Sequence, residues 1–80
     1  MTRKEITKHI RKKIKDAPQG NLYTVMHLQM IKFYKELENL SGREFCEEVE
    51  ISPKYGTEFS KMRRIAPELV KAGLDTSLIE

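Results

Sequence analysis

His9, His27 and Cys46 are the residues of this 80-residue sequence best suited to metal ligation or nucleophilic catalysis, and their spacing serves neither. A structural zinc site draws its ligands from closely spaced Cys and His pairs, and no H-x-x-x-H or Cys-His spacing is present. Cys46 stands alone, which excludes an internal disulfide and a dithiol redox pair, and a buried inert thiol is expected of it rather than a reactive one. No glycine-rich phosphate loop follows a strand, and no acid/base pair at useful spacing announces a concave active site. Neither an enzyme nor a metal or other cofactor is expected. His27, near the start of a predicted helix, is expected to be a capping or surface residue. The remaining chemistry is ionic: fifteen Lys and Arg side chains stand against twelve Asp and Glu, for a net charge of +3.

That charge is unevenly spread. Residues 1–21 hold seven basic residues against Glu5 and Asp16, a net of +5, while residues 22–51 hold three against six glutamates, a net of −3. Residues 52–80 return to +1. Two basic segments flanking an acidic one can offer a surface to a polyanion, although a basic helix face is also an ordinary route to solubility. With 39% hydrophobic residues, the chain has material for one core and is expected to form a single domain over 1–80. Within it, 1–20 reads as a basic amphipathic helix and loop, 21–73 as the core and 74–80 as a tail. No apolar run approaches the roughly 18 residues of a membrane span, and a cytoplasmic protein is expected.

Helices must position these charges, because the stretches between the breakers carry helical periodicity and no strand pattern competes. Thr2 and Glu5 have capping-box spacing, and Ile6, Ile10 and Ile14 draw a narrow apolar stripe along the first helix, which ends near Asp16. The second helix is expected over 22–40, with Met26, Met30, Phe33, Leu37 and Leu40 inward and Val25, Leu28, Ile31 and Tyr34 broadening that face. Ser41 and Glu44 form another capping box, opening a short third helix that buries Phe45, Cys46 and Val49 and leaves Glu44, Glu47 and Glu48 wet. Ser52-Pro53 restarts the chain as a fourth helix to about Ile65, with Tyr55, Phe59, Met62 and Ile65 inward. Pro67 then opens a final short helix that Gly73 terminates.

Two short helices joined by a turn, the second beginning with a cap, match the helix-turn-helix description. The segment from Gly42 to Lys61 resembles the roughly twenty-residue helix-turn-helix motif of bacterial and phage repressors, with Phe45, Cys46, Val49, Ile51 and Phe59 at its packing positions. Two residues depart from that pattern. Glu50 occupies the turn position the motif usually gives to glycine, where a left-handed backbone strains other residues. Gly56 stands where a buried aliphatic residue is usual, which implies either a close helix–helix approach there or a shifted register.

The resemblance implies an all-α domain of four to five helices and a sequence-specific DNA-binding regulator, acting as a repressor by steric occlusion. Its fourth helix would enter the major groove, with Ser52, Lys54, Tyr55, Thr57 and Glu58 toward base edges and Arg43, Lys61, Arg63 and Arg64 toward phosphates. The tyrosine ring also fits the core stripe, leaving its hydroxyl for a phosphate. Lys4, Lys8, Arg11, Lys12 and Lys15 of the first helix would meet flanking phosphates. A homodimer on two half-sites is expected, through either the Met-rich face of the second helix or Leu74, Leu78 and Ile79. The alternative is a protein-binding module, a phage- or plasmid-type inhibitor or adaptor that turns the acidic third helix toward a basic partner. An RNA-binding domain ranks last, for want of an exposed aromatic platform.

Overall fold

The two capping boxes expected from the sequence form and set where two helices begin. The computed structural model describes residues 1–80, and its first helix, α1 (Arg3–Lys15), opens with Thr2 Oγ1 accepting from the Glu5 amide at 3.2 Å. Glu5 Oε1 accepts the Thr2 amide in return at 3.0 Å. The same exchange joins Ser41 and Glu44 at 3.1 and 3.0 Å at the head of α3 (Gly42–Val49). In both boxes the accepted amide holds the glutamate below its ordinary pKa. Between them lies α2 (Leu22–Lys32), and after the turn come a 3-10 helix at Pro53–Tyr55 and α4 (Gly56–Lys71). A second 3-10 helix, Thr76–Leu78, closes the described chain. The domain is all-α with four α-helices, and no helix is long and apolar enough to cross a membrane.

Three expected boundaries are corrected. The α2 helix stops at Lys32 rather than Leu40. Beyond it the chain mixes four-residue and three-residue hydrogen bonds, from Leu37 N to Phe33 O at 3.0 Å and from Leu40 N to Leu37 O at 3.1 Å. These tightened turns keep Phe33, Leu37 and Leu40 buried. The freed carbonyls of Glu38 and Leu40 are satisfied by the Arg63 guanidinium, a partner no local pattern announces. The fourth helix neither ends at Ile65 nor restarts at Pro67, because α4 carries the proline inside it. Its inward face is as expected at Phe59, which is buried, and at Tyr55 and Met62, which pack against the core, whereas Ile65 is 43% exposed and Ala66 is buried instead. Gly73 does terminate it: at φ 112° its amide reaches Val70 O and the next amide reaches Leu69 O, both at 3.0 Å.

Every α-helix contributes to one core. Ile6 and Ile10 of α1 are fully enclosed with Met26, Met30, Phe45, Cys46, Val49 and Phe59. The first helix is therefore a full member of the core, and the Met-rich face of α2 is spent inside the chain and is no dimer surface. Phe45 and Phe59 stack with centroids 4.3 Å apart and 15° between planes, locking α3 to α4.

The turn of the motif keeps left-handed geometry despite its glutamate. Glu50 sits at φ 60°, ψ 48°, its amide bonded to Glu47 O at 3.3 Å and that of Ile51 to Cys46 O at 3.0 Å. An L-residue there costs roughly 1–2 kcal/mol, and the only side-chain return is an exposed contact with Arg11. Glu50→Gly is therefore expected to raise stability by about 1 kcal/mol, read as a higher midpoint in thermal unfolding followed by circular dichroism. An unchanged or lower midpoint would show that this residue is unstrained.

Candidate nucleic-acid interface

The heads of α3 and α4 meet backbone to backbone. A Cβ placed on Gly42 would lie 2.7 Å from the Gly56 carbonyl oxygen, and one on Gly56 would lie 3.3 Å from the Gly42 carbonyl carbon. Gly56 therefore marks a close helix–helix approach, and the register of the motif stands. Arg43, the next residue after Gly42, is exposed, and its guanidinium reaches Glu47 one turn along α3 at 3.5 Å.

Along α4 the face away from the core carries Thr57, Lys61 and Arg64 at steps of four and three residues, all exposed. Lys54 joins them from the 3-10 helix, its ammonium 5.1 Å from the Tyr55 ring centroid. Ser52 is exposed and accepts weakly from the Lys54 amide at 3.5 Å. Neither Lys54 nor Arg64 forms an ion pair within the chain, so their charge is available to an external anion. Ser60, a residue the sequence did not single out, is exposed on the same helix with its hydroxyl donating to Gly56 O at 3.2 Å.

Three expected contacts take other tasks. Arg63 turns inward, donating to Glu38 O at 3.2 Å and to Leu40 O, with its guanidinium 4.8 Å from the Phe59 ring centroid. Its guanidinium is thus engaged within the chain. Glu58 is half-buried and accepts from His27 at 2.9 Å and from Lys61 at 3.4 Å, and these bonds hold its carboxyl below the usual range. It ties α4 to α2 instead of facing a base. Tyr55 is half-buried, edge-on to Tyr23 at 5.7 Å. The role of His27 as the partner of Glu58, not a cap or free surface residue, carries no sequence signal because 31 residues separate the two.

The basic helix lies along the acidic one. Arg3 reaches Glu48 at 3.4 Å, and Arg11 reaches the Glu50 carboxylate at 3.2 Å and donates to Glu48 O at 2.9 Å. Glu44 is spent on its capping box and Glu47 on Arg43, so each α3 glutamate has an internal partner. Exposed pairs of this kind contribute little stability, yet they neutralise the acidic surface. Arg11 is thus partly committed, and Lys12 pairs with Asp16 at 3.6 Å. Lys4, Lys8 and Lys15 remain exposed and unpaired on one face of α1. Arg11 and Lys15 border a cleft shared with Val49, Glu50 and Ile51, which sets the end of α1 beside the turn of the motif. Burial pushes the Cys46 thiol up, as befits a core residue.

A family model described as an HTH-like domain matches residues 2–72. The chain belongs to the HTH-like domain family. No curated protein and no solved structure matches it significantly. The matched span runs from the Thr2 cap to the end of α4, so in this HTH-like domain α1 is included along with the two helices of the motif. The glycine contact at the helix heads and the left-handed Glu50 turn are the features that give the motif its angle here.

Proposed function

We propose that this HTH-like domain is a sequence-specific DNA-binding regulator of transcription, a cytoplasmic protein that represses by occupying its site and excluding polymerase. The observation that carries the reading is the exposed row Lys54, Thr57, Lys61 and Arg64 on the second helix of a helix-turn-helix, with no unpaired acidic side chain on the helix before it. The N-terminal half of α4 enters the major groove, where Lys54 and Thr57 meet base edges. Lys61 and Arg64 follow along the phosphates, as does Arg43 at the head of α3. Lys4, Lys8 and Lys15 extend the electrostatic contact to flanking backbone. The internal pairing of all the α3 glutamates also weighs against the rival reading, in which that helix is a free acidic docking face.

Fluorescence anisotropy on duplexes tiling the region upstream of the chain's own coding sequence, and on a scrambled duplex, tests this at several salt concentrations. Preference for one tile by about a hundredfold or more, falling steeply with salt, is the expected result. Lys54→Ala combined with Thr57→Ala is expected to cut that preference by roughly tenfold or more while leaving binding to the scramble unchanged. Equal weak binding to every duplex, or none, would make the motif a scaffold for a protein partner.

A further inference from the structure

We propose that Tyr23 is a further DNA contact, its hydroxyl donating to a phosphate that borders the base pairs met by Lys54 and Thr57; this rests on the DNA reading above and adds α2 to the interface. Packing puts the residue there. His27 of α2 meets Glu58 in the first turn of α4 at 2.9 Å, and one turn earlier on α2 the Tyr23 ring meets that of Tyr55, the residue before α4, at 5.7 Å. The starts of α2 and α4 therefore lie side by side, and Tyr23 flanks the end of α4 that enters the groove. A side chain beside an inserted helix head meets the backbone wall of the groove rather than its floor of base edges.

Three features fit Tyr23 to a phosphate. Its ring is held in place, edge-on to Tyr55 with 76° between planes and tilted 54° against His27 at 5.9 Å, so little rotamer freedom is left to lose on binding. Yet 51% of the residue is exposed, and its hydroxyl makes no hydrogen bond within the chain, which leaves the polar end to an outside acceptor. The surroundings also suit an anion. No Asp or Glu occurs from Ala17 to Lys35, and Glu58, the carboxylate tied to this cluster, is already bonded to His27 and Lys61. The Lys54 ammonium stands 5.1 Å from the centroid of Tyr55, the other ring of the pair. The hydroxyl contact expected of Tyr55 thus passes to Tyr23, because Tyr55 is the half-buried member of the pair and Tyr23 the exposed one.

Tyr23→Phe removes the hydroxyl and keeps the ring pair, and salt-dependent anisotropy on the tiled and scrambled duplexes reads the effect. The variant is expected to bind every duplex about three- to tenfold more weakly. Its preference for one tile and its slope against salt are both expected to stay as in the wild type, because a neutral donor displaces no counterion. Tyr34→Phe, a hydroxyl lost beside Val70 and Leu74 at the other end of α4, is expected to bind as the wild type does. Undiminished affinity in Tyr23→Phe, with the wild type still preferring one tile, would overturn the Tyr23 contact alone. A wild type without any preference would overturn the DNA reading and this contact with it. Equal losses in the two variants, or a single strand bound more tightly than the duplex and released by Tyr23→Ala, would also overturn the contact.

Discussion

Gly42→Ala is expected to lower the stability of the domain by about 3 kcal/mol, among the largest losses from adding a single methyl group to this chain. The new Cβ would lie 2.7 Å from the Gly56 carbonyl oxygen and 2.9 Å from its Cα. Both are backbone atoms, with no flexible side chain to swing aside, so α3 and α4 must separate. That separation would loosen the stacked Phe45–Phe59 pair beneath them. A domain of this size holds roughly 4–12 kcal/mol in all, so the variant is expected to unfold some 15 °C lower. Gly56→Ala meets only the 3.3 Å contact and gains about 1 kcal/mol of helix propensity, so it is expected to lie within about 1 kcal/mol of the wild type. Urea unfolding of both variants measures the asymmetry; equal small losses would show that the two helix heads are not in contact.

Adjacent arginines on α4 are expected to behave as opposites. Arg63→Ala removes the donors to Glu38 O and Leu40 O and the guanidinium over Phe59. Those carbonyls close the irregular turns that bury Leu37 and Leu40, so the expected cost is about 2–3 kcal/mol of stability. Arg64→Ala touches no internal partner and should leave the unfolding curve in place. If α4 lies on DNA, it instead weakens all duplexes alike and lowers the salt slope by about one. Unfolding curves and salt-dependent anisotropy on the same two proteins separate the roles. Loss of DNA affinity without loss of stability in the Arg63 variant would return that residue to the interface.

Helix starts were legible because capping is local. The Thr2/Glu5 and Ser41/Glu44 boxes each lie within four residues, and both form as their spacing implies. The same holds for the helix-turn-helix frame, since Phe45, Cys46, Val49 and Phe59 are all buried where the motif places them. Helix ends were less legible. Nothing in the sequence from Lys32 to Leu40 stops a helix, and the stop at Lys32 comes with Arg63 supplying carbonyl partners from 23 and 25 residues away. Pro67 reads as a breaker, yet packing of Phe59 and Ala66 on one side carries α4 through it.

By itself, then, the sequence determined an all-α domain, its capped helix starts, its Gly73 stop and a second motif helix with basic and polar residues at exposed spacing. These rest on hydrogen bonds and periodicities within a few residues, which a linear pattern encodes directly. Only the tertiary structure decided which charges are available. Arg63 and Arg64 are neighbours with the same side chain, yet one faces Phe59 and the other solvent, because α4 turns about 100° per residue against a fixed core. Glu58 met His27, and the α3 glutamates met α1, through contacts that exist only once the helices pack.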